Sequence, residues 1–313
     1  MLQVYARNKL VWPLSVGFSF ITWILNGWFG LGGKMAHTVL LTPFFDYAVG
    51  MLVCVAAIYL LAEINTRYAF LSNSDRTISM TFMLLIAMAM FIHPLQTSHL
   101  VMICYLIGYF LLFDTYQSRQ TPLMAFSVSL TLGVSSLVCP QILWLLIANI
   151  ISLIILRAFG MRALVASFLG VILPYWFWGI ISYAFFDMTS FNAHLSEINT
   201  FGGAGLEILS AKQLWSFWLV AVMYVVGGID YFVNIHQNRS RTRISYYVVC
   251  FQGLFLLVYI WSEPEQYMNL FPLCMINTSM LWGRLCSFSK GRIYDVIWSG
   301  VAIAWFITTL FIY

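Results

Sequence analysis

Charged side chains make up only 8% of this 313-residue chain, against about 25% in an ordinary soluble domain. A fold of this length cannot cover a water-facing surface with so few charges, so its outer residues must meet lipid. Other signals are missing too. No two of the six cysteines (Cys54, Cys104, Cys139, Cys250, Cys274 and Cys286) form a C-x-x-C pair. Most of them sit in apolar runs, where a thiol acts as a small buried hydrophobe; a structural disulfide is not expected. There is no H-E-x-x-H and no G-x-x-x-x-G-K-[ST], so neither a metal site nor a nucleotide cradle is indicated and no cofactor is expected. Tandem repeats, internal inverted halves, acidic tails and long charge runs are likewise absent. The net charge of +4 is spread through short loops, which argues against a nucleic-acid partner.

What the chain does have is apolar bulk. Hydrophobic residues reach 62% and aromatic residues 18%, including 12 Trp and 17 Tyr, rings that favour the headgroup level of a bilayer. Apolar runs fall near 14–32, 47–63, 78–92, 99–113, 122–138, 141–156, 163–186, 213–231, 245–261, 268–284 and 293–312. The fold class expected is all-α: one polytopic transmembrane bundle over residues 1–313, with about eleven spans (ten to twelve). Arg7 and Lys9 before the first run resemble a signal-peptide n-region, but no small-residue cleavage site follows, so the run is read as a retained span.

Loop charge supplies the sidedness. With the N-terminus inside, 13 of the 15 basic residues fall in cytoplasmic segments, and only Lys34 and Lys212 fall outside. That bias is the positive-inside pattern. It puts the C-terminus in the periplasm and the chain in a bacterial inner membrane as a multi-pass protein. The same rule resolves residues 121–157. A single helix kinked at Pro140 would put Arg119 and Arg157 on opposite sides, so two short spans with an outer turn at Val138-Cys139-Pro140-Gln141 are expected. The longest outer loop is 187–212; its Gly202-Gly203-Ala204-Gly205 stretch reads as flexible chain.

The sharpest local motif is Arg157-Ala-Phe-Gly-Met-Arg162, between runs six and seven. Two guanidiniums at the inner face suit a phosphate of a lipid headgroup or pyrophosphate, because the planar fork pairs well with phosphate oxygens. The plainer reading is a topology anchor. Together with Phe168-Leu169-Gly170 and Leu173-Pro174-Tyr175, this motif resembles an uncharacterised multi-span family of Bacteroidota inner-membrane proteins, marked by an Arg-x-Phe-x-x-Arg turn and then a Gly…Pro-Tyr span. The resemblance covers about 100 residues in the middle of the chain. It implies an envelope protein and brings no catalytic residue with it.

Other candidates are weaker. Asn238-Arg239-Ser240-Arg241-Thr242-Arg243 suits anionic headgroups or simple orientation. Glu63, Asp114, Asp230 and Asp295 stand at cytoplasmic run ends. There they pair with nearby Arg67, Arg119, Arg239 or Arg292, or handle a proton or substrate. Run ten is unusually polar, with Asn277 and Arg284 in it, and must face other helices or a wet cavity. Asp230, Asn277 and Arg284 are therefore the intramembrane polar candidates. By analogy with glycosyltransferases that use lipid-phosphate sugar donors, Asp46 in the first outer loop is a weak candidate for a catalytic base. His93, His99, Asp187, His194, Glu197, Glu263 and Glu265 are also on the outer face.

Three functions compete: handling of an anionic, polyprenyl-phosphate-type lipid-linked glycan; a non-enzymatic scaffold for another envelope membrane protein; and secondary transport.

Overall fold

The computed structural model describes residues 11–29, 43–71, 76–118, 120–185, 188–198, 205–235 and 240–288. Every regular element among them is helical. The α-helices are α1 (Val11–Phe29), α2 (Pro43–Tyr68), α3 (Thr77–Met88), α4 (Thr97–Asp114), α5 (Thr121–Ser136), α6 (Leu145–Ile155), α7 (Met161–Phe185), α8 (Met188–Glu197), α9 (Ala211–Val233), α10 (Ser240–Ser262) and α11 (Tyr267–Phe288). Short 3₁₀ turns at Met90–Ile92, Pro140–Trp144, Leu206–Ile208 and Pro264–Gln266 lead into or out of them. Arg119, Asp187, Arg239, Lys290, Arg292, Asp295, the stretch Gly202-Gly203-Ala204 and the run 293–312 lie outside the described residues.

Five helices are long and apolar enough to cross a membrane: Phe45–Tyr68, Thr97–Asp114, Met161–Ala184, Ala211–Val233 and Ser240–Ser262. Others are short. The 12 residues of α3 rise about 18 Å, well under the ~30 Å hydrocarbon layer. Ten of those 12 are buried, so α3 is sheltered by protein. Residues 121–155 form two separate helices, α5 and α6, packed on each other across the Pro140 turn. The segment expected as an open loop after 187 instead contains α8, held by hydrogen bonds from the Gln141 amide to the Glu197 carbonyl (3.2 Å) and from the Trp144 indole to the Ile198 carbonyl (3.2 Å).

Local chemistry sets several helix ends. Ser210 and Gln213 bond reciprocally at the start of α9, the Gln213 N–H to Ser210 Oγ at 3.4 Å and the Ser210 N–H to Gln213 Oε1 at 3.0 Å, satisfying donors that a helix start leaves open. Pro43 and Pro122 stand at the starts of α2 and α5, where a missing N–H costs nothing. At the end of α6, Arg157 adopts the left-handed conformation (φ 55°) while the Ala158 N–H reaches back to the Leu153 carbonyl at 2.9 Å, the closing pattern that glycine usually serves.

The bundle is built around α11. Of its 22 residues, 18 are buried, and α3, α4, α9 and α10 pack around it. A helix buried on all sides must satisfy its polar groups within the protein. The rim is apolar as well: Leu169, Ile172, Trp176 and Phe177 on α7 and Val222, Val225, Ile229 and Phe232 on α9 are all exposed. Apolar residues both inside and outside are what a lipid-facing bundle requires. Peripheral α7 lies flush on α5, where a Cβ added at Gly170 would run into the Phe126 carbonyl and one at Gly133 would press on Val171.

Candidate functional site

The helices sort the polar residues into two ends and a centre. At one end gather the close of α2, the start of α3 and the closes of α4, α9 and α11, together with the start of α10. Arg67 pairs with Asp114 (2.7 Å), Thr77 bonds the Gly283 carbonyl (3.1 Å), and Thr242 bonds the Ala69 carbonyl (3.3 Å). The described arginines, Arg67, Arg76, Arg157, Arg162, Arg241, Arg243 and Arg284, all belong to helix termini at this end, and Lys212 starts α9 at the other. The alternating helix directions thus carry the loop-charge asymmetry into three dimensions.

Asp230 and Arg284 meet here. Arg284 Nη1 lies 2.8 Å from Asp230 Oδ2, with side-chain exposures of only 1% and 8%. Asn234 Nδ2 donates to Asp230 Oδ1 (2.9 Å), and Arg284 Nη2 donates to the Asn234 carbonyl (3.3 Å). The guanidinium stands over the rings of Tyr231 (5.3 Å), Phe288 (5.4 Å) and Tyr246 (5.8 Å). Such aromatic faces attract a cation. Proximity in sequence points to a loop arginine as a partner of Asp230; the structure supplies Arg284, from run ten.

Asn277 belongs to a separate system. It is seven residues from Arg284, about 10 Å along the helix. The Tyr109 hydroxyl donates to Asn277 Oδ1, and Asn277 Nδ2 donates to the Tyr105 hydroxyl (2.9 Å). The Tyr105 hydroxyl donates to Gln252 Oε1 (2.8 Å), and Gln252 Nε2 donates to Asn149 Oδ1 (3.1 Å) and Ser152 Oγ (3.0 Å). This chain crosses the bundle from α11 through α4 and α10 to α6. Beside it is a cavity of about 20 Å³ lined by Tyr105, Thr131, Asn149 and Gln252, enough for about one water molecule. Sequence reading did not single out this network, although Gln252 and Asn149 inside apolar runs were its visible sign.

Asp46 is not in a loop. It sits in the first turn of α2 and is fully buried. Its carbonyl accepts the Leu95 N–H (3.1 Å), tying α2 to the turn that carries His93. His93 stacks on Trp23 (centroids 4.0 Å apart, planes 10° apart). Asn26 Nδ2 donates to His93 Nδ1 (3.1 Å) and to the Met90 carbonyl (2.7 Å), while His93 Nε2 contacts the Ile86 carbonyl (3.1 Å). That pattern requires the neutral Nε2–H tautomer. Burial, outweighing the bond to Ile86, pushes the His93 pKa down from its usual 6.5 to about 3. The unfolded chain therefore binds a proton below pH 6.5 that the folded chain refuses, so stability holds above pH 6.5 and falls as pH drops towards 3. At about 1.4 kcal/mol per pH unit, roughly 2 kcal/mol is lost by pH 5. Thermal unfolding of the purified protein at pH 7.5 and pH 5 checks this. His93→Gln is expected to lose less than the parent chain, and equal losses in both would exclude His93 as the source.

Arg157 and Arg162 are exposed, and between them Phe159 (47%) and Met161 (75%) project outward. Neither arginine forms an ion pair among the described residues. The turn therefore presents two guanidiniums flanking two apolar side chains, apart from both Asp230–Arg284 and Asp46. Elsewhere, His194 on α8 contacts the Ser136 carbonyl (3.0 Å), and Glu263 is buried. None of the six cysteines is disulfide-bonded. Among the described residues no group of three His, Cys, Asp or Glu side chains stands close enough to hold a metal ion. No family, curated protein or solved structure matches the chain.

Proposed function

We propose that this chain is a multi-pass bacterial inner-membrane protein, with its arginine-bearing end in the cytoplasm, that holds the phosphate of an anionic lipid at the Arg157–Arg162 turn. The substrate class that fits is the polyprenyl-phosphate-type carrier of envelope glycan assembly. The carrying observation is the make-up of that turn: two exposed arginines flank exposed Phe159 and Met161. At a membrane surface the ring and thioether enter the hydrocarbon, which sets the guanidiniums at phosphate level. Arg157 also occupies a left-handed position better suited to glycine. Ala69 and Gln117 do the same at the ends of α2 and α4, so the conformation belongs to how helices close at this end, while the charge belongs to Arg157.

That backbone offers a clean test. Arg157→Gly removes the charge without adding strain, so weakened lipid binding cannot be put down to misfolding. Each basic side chain is worth about fivefold in affinity for an anionic surface. Arg157→Gly and Arg162→Gln are each expected to lower the anionic lipid retained on purification by about that factor, as read by mass spectrometry. Unchanged retention in the double variant, at normal abundance, would reject the reading.

A second reading, a scaffold for another membrane protein, is favoured by α7. That helix leans on α5 and turns Phe168, Ile172, Trp176 and Ile180 outward. It requires crosslinks from this face to a partner after mild extraction; crosslinks to lipid alone would exclude it.

A further inference from the structure

Helices α9 and α10 both pack against α11 with their backbones held apart, and side chains bridge them: the Tyr224 hydroxyl donates to the Cys250 carbonyl, and the Tyr231 and Phe232 rings meet Tyr247. Along this seam lies an apolar groove of about 610 Å³ that Ile155 of α6 also lines. Its lining from α9 runs from Tyr224 to Phe232 and from α10 runs from Tyr247 to Leu254. Seven or eight residues at 1.5 Å each give a length of about 10–12 Å, the greater part of one ~15 Å leaflet. Val225, Ile229 and Leu254 are more than half exposed on its open side. Its lining is apolar throughout, so it offers a hydrocarbon chain contact over most of one leaflet.

The groove meets positive charge where it reaches the arginine-bearing end. Arg243 precedes Tyr247 by one turn on the same face of α10, and its carbonyl accepts the Tyr231 hydroxyl (2.9 Å) beside the lining residue Phe232. Arg157 follows Ile155 by two residues and is exposed. Arg241, by contrast, turns away and stands over the Tyr68 ring (5.4 Å). An apolar slot with cationic side chains towards one end is complementary to a molecule with a hydrocarbon tail and an anionic head.

We infer that the α9–α10 groove takes the hydrocarbon chain of an anionic lipid from the arginine-side leaflet, with its phosphate between Arg157 and Arg243. This rests on the lipid-phosphate reading above and adds to it a binding face, a leaflet and a second arginine. Gly228 makes the groove testable. It lines the slot, and a Cβ added there meets nothing within 4 Å, so the side chain of Gly228→Trp starts into open space and fills the slot.

The experiment uses the full chain in nanodiscs containing phosphatidylglycerol with a photoactivatable group on one acyl chain, or its phosphatidylcholine counterpart. Labelling is expected at Ile155, Val225, Ile229 and Leu254, stronger with phosphatidylglycerol. Gly228→Trp is expected to lower it at least tenfold, and Arg243→Gln by about fivefold, the worth of one basic side chain at an anionic surface. Phosphatidylglycerol labelling confined to the α7 face, with retention still falling in Arg157→Gly/Arg162→Gln, would overturn the groove and leave the lipid-phosphate reading standing. Equal labelling by both lipids, with retention unchanged in that double variant, would overturn both. A crosslink from the groove to a peptide, of this chain or another, in place of lipid would show that protein fills it and would also overturn the inference.

Discussion

Replacing Arg284 with methionine is expected to destabilise the protein by about 3–5 kcal/mol, the usual result of removing one partner from a buried ion pair. The Asp230 carboxylate is 8% exposed and loses the guanidinium 2.8 Å away. The carbonyl of Asn234 loses a donor at the same time. The companion result identifies the mechanism. Arg284→Met combined with Asp230→Asn is expected to recover most of the loss, because the double change removes both charges and their joint desolvation penalty. The amide that Asp230→Asn introduces stays within reach of Asn234, so the polar contact on α9 survives. The chain's own thiols give the measurement. Cys54 and Cys274 are buried and become reactive as the bundle opens, so a thiol-reactive fluorophore followed against temperature reports unfolding. If the single and double variants unfold at the same temperature as each other, the pair is not the source of the loss. If Asp230→Asn leaves unfolding unchanged but removes a proton-dependent flux in proteoliposomes, Asp230 serves transport.

How much of this was readable in advance depends on how far apart in sequence the cooperating residues lie. The gathering of arginines at one end was legible, because antiparallel helices turn loop charge directly into end charge. Both members of the Arg67–Asp114 pair stand at expected inner run ends, although nothing in the sequence selects Arg67 over Arg119 for Asp114. The pairing of Asp230 with Arg284 was not legible. Asp230 has a loop arginine nine residues away, and nothing in the run pattern says that α9 and α11 pack side by side. Run ten's polarity does announce that it faces protein, and α11 is buried over 18 of its 22 residues. Which partners it would meet was hidden, since Tyr105, Tyr109, Gln252 and Asn149 come from three other helices. The apolar-run pattern puts Asp46 in a loop, whereas Pro43, a favoured first residue of a helix, stands three positions before it and opens α2. The segment after 187 reads as the longest outer loop, yet α8 forms there by bonding the Pro140 turn, a contact no local pattern encodes.

Gly283→Ala is expected to be among the most damaging single-methyl additions in the chain. A Cβ at Gly283 would stand 2.7 Å from the Ile78 Cα and 2.8 Å from the Ile78 N, closer than real Cβ contacts come. Those atoms are backbone, so no side-chain rotation relieves the clash. Either α3 moves off α11 or both helices distort. Separation also breaks the bond from Thr77 Oγ1 to the Gly283 carbonyl (3.1 Å). Overpacking of this kind costs about 1–3 kcal/mol, occasionally more, and a buried hydrogen bond left unmade adds about 1–3 kcal/mol. Gly228→Ala is the control. It is the same change in a helix, with nothing within 4 Å of the new methyl, and it is expected to stabilise by roughly 0.5–1 kcal/mol through helix propensity. Opposite signs from one chemical change would separate packing from propensity. A third variant locates the clash. Ile78→Ala removes the Cγ1 that also lies 2.8 Å away but leaves the backbone, so it should not rescue Gly283→Ala. Full rescue would mean that the side chain of Ile78 is the obstacle. An unfolding temperature for Gly283→Ala equal to that of the parent would mean that α3 and α11 do not approach this closely.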